Sequence, residues 1–131
     1  MTSVQQKTPY ELIGGEKAVL SLVDRFYFFM DTLPEAAGIR AMHQKSLAGA
    51  RDKLFKYLSG WLGGPDLFVQ QYGHPRLRAR HFPFAIGAAE RDQWMLCMNK
   101  ALNEMPMETQ FREALSQALQ QLATHMINKG H

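Results

Sequence analysis

An all-α fold is what this sequence predicts, and three observations predict it. Leucine, alanine and methionine number 15, 14 and 8, against four valines and four isoleucines, and the first group favours helices while β-branched residues favour strands. Apolar residues recur at spacings of three and four through four long stretches, as one buried helix face requires. Glycines and prolines gather between those stretches, where helices must stop. The 131 residues suit one domain able to bury its own core. No apolar run reaches the roughly 20 residues of a membrane helix. The opening MTSVQQKTPYEL lacks the basic-then-apolar order of a secretory signal, and a single cysteine, Cys97, fits a reducing cytoplasm. A formal charge of +3 permits an acidic partner without demanding one.

Taken in order, Thr8-Pro9-Tyr10-Glu11 reads as a short helix start with a capping box, halted by Gly14-Gly15. The first long helix is expected from about Glu16 to Leu33, with Val19, Leu22, Val23, Phe26, Met30 and Leu33 on one face. Pro34 ends it, and the chain to Gln44 reads as an irregular connection with one short turn. Ser46 is expected to cap the next helix, which carries Leu47, Ala50, Leu54, Leu58 and Trp61 before Gly63-Gly64-Pro65 stops it. From Pro65 to Gly87 only short helical pieces are expected. A long helix from about Ala88 to Glu104 bears Trp94, Met98, Ala101, Leu102 and Met105. After Pro106 the last helix repeats Phe111, Leu115, Leu119, Leu122 and Met126.

The broken middle segment needs a reason in so small a helical chain. Tyr72-Gly73-His74-Pro75-Arg76-Leu77-Arg78-Ala79-Arg80-His81-Phe82-Pro83-Phe84 concentrates arginine, histidine and phenylalanine. Three readings compete: a solvated loop, a nucleic-acid contact through arginines and aromatics, or the wall of a buried anionic cofactor. No helix-turn-helix, zinc finger or RNA-binding motif accompanies the arginines. One cysteine and five scattered histidines do not make a protein-only zinc site, and the glycine pairs match no phosphate-binding loop. Haem asks less: one axial imidazole and cations for two propionates. His81, beside Arg80 and near Arg78, can supply both, with Phe82 and Phe84 as apolar surface.

At these residues the sequence resembles the group II truncated haemoglobins. The resemblance rests on Gly63-Gly64-Pro65, on the run from Tyr72 to Phe84, on Glu90-Arg91-Asp92-Gln93-Trp94-Met95-Leu96-Cys97-Met98 and on Phe26-Tyr27. It implies a truncated globin fold, a two-over-two α-helical sandwich around haem b (iron protoporphyrin IX). It further implies one domain over residues 1–131, with a core at about 10–128 and a flexible extension over 1–8. His81 is the implied proximal iron ligand, while His74 reads as structural, His125 as facing solvent and the helix dipole, and His131 as a disordered terminus.

On the ligand side the resemblance implies three hydrogen-bond donors, Tyr27, Trp94 and His43. His43 is preferred to its neighbour Met42 because an imidazole can donate and a thioether cannot. Ala50 falls where larger globins carry a distal histidine, so it leaves an entry path for gases but no hydrogen bond. Leu54, Met98 and Phe84 are expected to contact haem, and Lys53, Tyr72, Arg78 and Arg80 to compete for its propionates. The implied function is reversible binding of dioxygen and other diatomic gases, in a cytoplasmic monomer or weak homodimer served by an unidentified reductase. The alternative is a haem enzyme for peroxide or nitric oxide detoxification. Neither reading involves nucleic acid or a membrane.

Overall fold

The computed structural model describes residues 7–129, and the backbone but not the side chain of Arg78. The expected N-terminal extension and the terminal His131 lie almost wholly outside the described residues. Among the described residues eight α-helices follow one another: α1 Pro9–Ile13, α2 Glu16–Thr32, α3 Ala37–Ala41, α4 Ala48–Trp61, α5 Leu67–Tyr72, α6 Leu77–His81, α7 Ala88–Asn103 and α8 Thr109–His125. A 3-10 turn at Pro34–Ala36 leads into α3. Among the described residues there is no strand and no helix long and apolar enough to cross a membrane.

Each start and stop has a local cause. Thr8 accepts the Glu11 N–H at 3.2 Å while Glu11 returns a bond to the Thr8 N–H at 3.2 Å, the capping box expected for α1. At α4 the expected cap moves: Leu47 occupies the cap position, and Ser46 accepts only the Ala48 N–H at 3.3 Å. The backbone passes too close to Tyr10 for any side chain at Gly64, where an added Cβ would lie 2.4 Å from the tyrosine ring. That contact, with the Tyr10 N–H bonded to the Leu62 carbonyl at 2.9 Å, pins α1 against the end of α4.

α2 is the central element, packed on α4 along one side and on α7 along the other, with α8 against α7 and α5 against α4. Two helix pairs thus meet across α2 and α7, as a two-over-two sandwich requires. Val19, Leu22, Val23, Phe26 and Met30 of α2 are buried against Met98, Ala101 and Leu102 of α7 and Leu119 of α8 in one continuous core. Each of these side chains but Ala101 contributes about 1.5–3 kcal/mol. Ser59, polar and fully buried on α4, donates back to the Phe55 carbonyl at 2.8 Å and so is satisfied.

Candidate functional site

The spacing of α2 that buries Phe26 also turns Tyr27 inward. The Phe26 ring lies 4.9 Å from Tyr27 and 5.1 Å from Trp94 of α7, and Tyr27 lies 6.0 Å from His43. The sequence-selected trio of Tyr27, Trp94 and His43 therefore surrounds one aromatic cluster. Tyr27 is 7% exposed, and this burial pushes its phenol well above the ordinary tyrosine range, so the hydroxyl stays protonated and able to donate. It reaches the Ala50 carbonyl only at 3.4 Å, a long contact that a better acceptor can displace. Among the described residues the indole N–H of the partly buried Trp94 makes no hydrogen bond.

His43 is engaged through one ring nitrogen. Its Nδ1 lies 2.8 Å from the Ile39 carbonyl, and because a carbonyl only accepts, Nδ1 carries the proton. In the neutral ring Nε2 is then an acceptor. The α3 segment that holds this carbonyl is itself fixed by Gln93 of α7, which accepts the Ile39 N–H at 3.0 Å. Sequence reasoning quoted Gln93 within a matching block but gave it no role.

His81 is the last residue of α6. Its Nδ1 lies 2.6 Å from the Leu77 carbonyl, which again fixes the tautomer and leaves Nε2 with a lone pair for a metal. α6 opens at Arg76, whose φ of +43° is the sole left-handed conformation of a non-glycine residue among the described residues; such strain costs about 1–3 kcal/mol. His74 accepts the Arg76 N–H at 3.1 Å, which agrees with a structural place for it. Phe82 and Phe84 beyond His81 are 59% and 40% exposed, a large apolar surface beside the imidazole.

The four expected propionate partners separate. Lys53 lies over the Tyr72 ring, 5.9 Å from its centroid, and makes no ion pair among the described residues. Lys56 sits over the same ring but is bonded to Asp52 at 2.8 Å and to Gln71. Arg80 is drawn elsewhere: its Nε donates to the Pro75 carbonyl at 2.5 Å, and its guanidinium lies 5.3 Å from the Phe68 centroid. The Arg78 side chain falls outside the described residues. Ala50 and Leu54 are half-buried on α4, Met98 is fully buried on α7, and His125 is exposed at the end of α8. Cys97 is buried, and burial pushes its thiol up to about 11, so it is inert as a nucleophile. No cluster of three or more histidine, cysteine or carboxylate side chains able to hold a bare ion occurs among the described residues.

Comparison with known proteins gives the arrangement its context. Residues 8–128 match the model of the family described as bacterial-like globin. The chain is 37% identical over 121 residues to the group 2 truncated hemoglobin YjbI of Bacillus subtilis, covering 92% of this chain and 89% of the relative. Among solved structures it is 51% identical to a cold-adapted truncated hemoglobin from Pseudoalteromonas haloplanktis, with a TM-score of 0.92 over 95% of this chain and all of the other. A group II 2-on-2 hemoglobin from Agrobacterium tumefaciens is 46% identical, with a TM-score of 0.93 over 98% of this chain and all of the other. By sequence and by fold the chain belongs to the bacterial-like globins, as a group II truncated haemoglobin, and membership implies a haem cofactor and the binding of diatomic gases such as oxygen.

Proposed function

We propose that the protein carries haem b on His81 and binds dioxygen and other small diatomic ligands reversibly on the side of Tyr27 and Trp94. The observation that carries this reading is the His81 imidazole, whose proton is spent on the Leu77 carbonyl so that Nε2 offers a lone pair. The donor set supports the group. A bare ion finds no cage among the described residues, whereas a metal already held by four porphyrin nitrogens needs one imidazole. Haem, when bound, supplies an iron centre that takes a diatomic ligand.

The chain's own residues do the rest. Phe84, Leu54 and Met98 give apolar contact and keep water from the metal. Lys53, with Tyr72 beside it, is the favoured propionate partner, because among the described residues it pairs with no carboxylate, while Arg80 is engaged at Pro75 and Phe68. Tyr27 and Trp94 donate toward the ligand, and each charge-assisted bond slows escape by about 10–100-fold, or 1.5–3 kcal/mol. Ala50 leaves the approach open. We assign the protein to the cytoplasm, as a monomer or weak homodimer reduced by a separate reductase.

Peroxide turnover is the second reading, and one observation favours it: with Nδ1 on Ile39, the His43 Nε2 is a base that can take a proton from a peroxide. Oxidation of nitric oxide to nitrate belongs to the same alternative. A visible spectrum of the purified, haem-reconstituted protein tests the first claim, and His81→Ala is expected to lose the axial imidazole. Absence of a haem band, or an unchanged ferrous spectrum in H81A, would refute the assignment. Steady-state peroxide consumption, compared between wild type and His43→Leu, separates the second reading from simple binding.

A further inference from the structure

The segment that bears His81 is tied down by a residue far from it in sequence. Asn128 lies three residues past the end of α8. Its Oδ1 accepts the Ile86 N–H at 2.9 Å, and its Nδ2 donates to the His81 carbonyl at 3.2 Å and to the Phe84 carbonyl at 2.9 Å. The backbone N–H groups of Asn128 and Lys129 both donate to the Ile86 carbonyl, at 2.8 and 3.1 Å. The amide orientation is unambiguous, because the reverse would set oxygen against two carbonyls. A primary amide is also what the place requires: an aspartate cannot donate, and an alanine does neither.

α6 has five residues, too few for its own hydrogen bonds to hold it. Its last carbonyls would otherwise be left to water. His81 is the final residue of that helix, so whatever fixes its carbonyl also fixes the base of its side chain. The Phe84 N–H, at 2.9 Å, and the Asn128 amide both converge on that carbonyl. One turn further on, Glu90 accepts the Gly87 N–H at 2.7 Å and pairs with Lys129 at 3.4 Å, which anchors the same tail without touching His81.

We propose that Asn128 is a positioning residue for His81, setting the height and tilt of the imidazole offered to the iron through its three side-chain hydrogen bonds. This rests on the haem reading above. The test uses the haem-loaded protein and two readouts: the iron–histidine stretching band in the resonance Raman spectrum of the unliganded ferrous form, and hydrogen exchange at the Ile86 amide. Asn128→Ala is expected to shift and broaden the band and to speed Ile86 exchange roughly 2- to 10-fold, the value of one hydrogen bond. Asn128→Asp keeps an acceptor for the Ile86 N–H but sets a carboxylate against two carbonyls, so it is expected to shift the band further than Asn128→Ala while speeding Ile86 exchange less. Asn128→Ser, which keeps a small donor, serves if the alanine variant fails to fold and is expected to shift the band in the same direction. Lys129→Ala loosens the tail but leaves the amide, so its band should match the wild type. An unmoved band in the Asn128 variants, or an equal shift in Lys129→Ala, would overturn the proposal. If the wild type shows no iron–histidine band, the haem reading fails instead, while Ile86 exchange still reports the strap.

Discussion

The side of the site built from α2, α4 and α7 is held by packing, whereas the segment bearing His81 is held by hydrogen bonds to a distant stretch of backbone. Around Phe26, Tyr27 and Trp94 the rings meet edge to face or tilted at about 5 Å, on two helices of 17 and 16 residues whose other residues form the core. Around His81 the helix is five residues long, its start is strained at Arg76, and its apolar neighbours Phe82 and Phe84 face outward. Packing resists displacement in every direction, while a few hydrogen bonds fix a backbone at chosen points. Tyr27 and Trp94 thus sit on a packed wall, and the His81 imidazole on a segment fixed at a few points by hydrogen bonds.

The comparison can be broken most forcefully on the packed side. Phe26→Ala removes the ring on which Tyr27 and Trp94 both rest, and a fully buried phenylalanine of this kind costs about 3–5 kcal/mol in global stability. Urea unfolding measures it; a loss below 1 kcal/mol would mean that the wall is not packed as described. Tyr27→Phe is milder for the fold, because the ring stays, but it is expected to raise the dioxygen dissociation rate about 10–100-fold. Trp94→Phe should act in the same direction, and unchanged rates in both variants would remove the donors from the account. Stopped-flow ligand replacement reads the effect.

The smallest effect sharpens the hydrogen-bonded side. The Gly87 N–H, and after it Lys129, hold the Glu90 carboxyl below the ordinary value of 4.5. A carboxyl lowered by folding contributes stability that is present above its unfolded value and is lost as the pH falls through the folded one. Acid below about 4.5 is therefore expected to loosen the tail first. Hydrogen exchange at Gly87, followed as the pH is lowered, should show this step in the wild type and not in Glu90→Gln; the same step in both would assign it to another group.

The four long helices were legible because their evidence is local: apolar spacing, a capping box at Thr8, and Gly-Pro stops. Gly64 was legible only as part of a motif, and the reason for it, the ring of Tyr10, lies 54 positions away in the chain. Tyr27, Trp94 and His43 could be nominated together, but not the direction of the His43 proton. That depends on a carbonyl in α3, whose place depends on Gln93. The competition between Lys53 and Arg80 was equally closed to the sequence, since two nearby cations differ only in what else they touch. Asn128 left no mark at all: an asparagine just past a helix end is commonplace, and its partners lie 42 to 47 positions earlier.

That span has a consequence for how the molecule is made. Synthesis runs from the N-terminus, so α2, α4 and α7 can begin to assemble while residues near 128 are still inside the ribosome. The loop from His81 to Ile86 finds its tether only after Asn128 has emerged. Of the two sides, the one carrying Tyr27 and Trp94 can pack before Asn128 is free, whereas the segment bearing His81 cannot be tethered until it is.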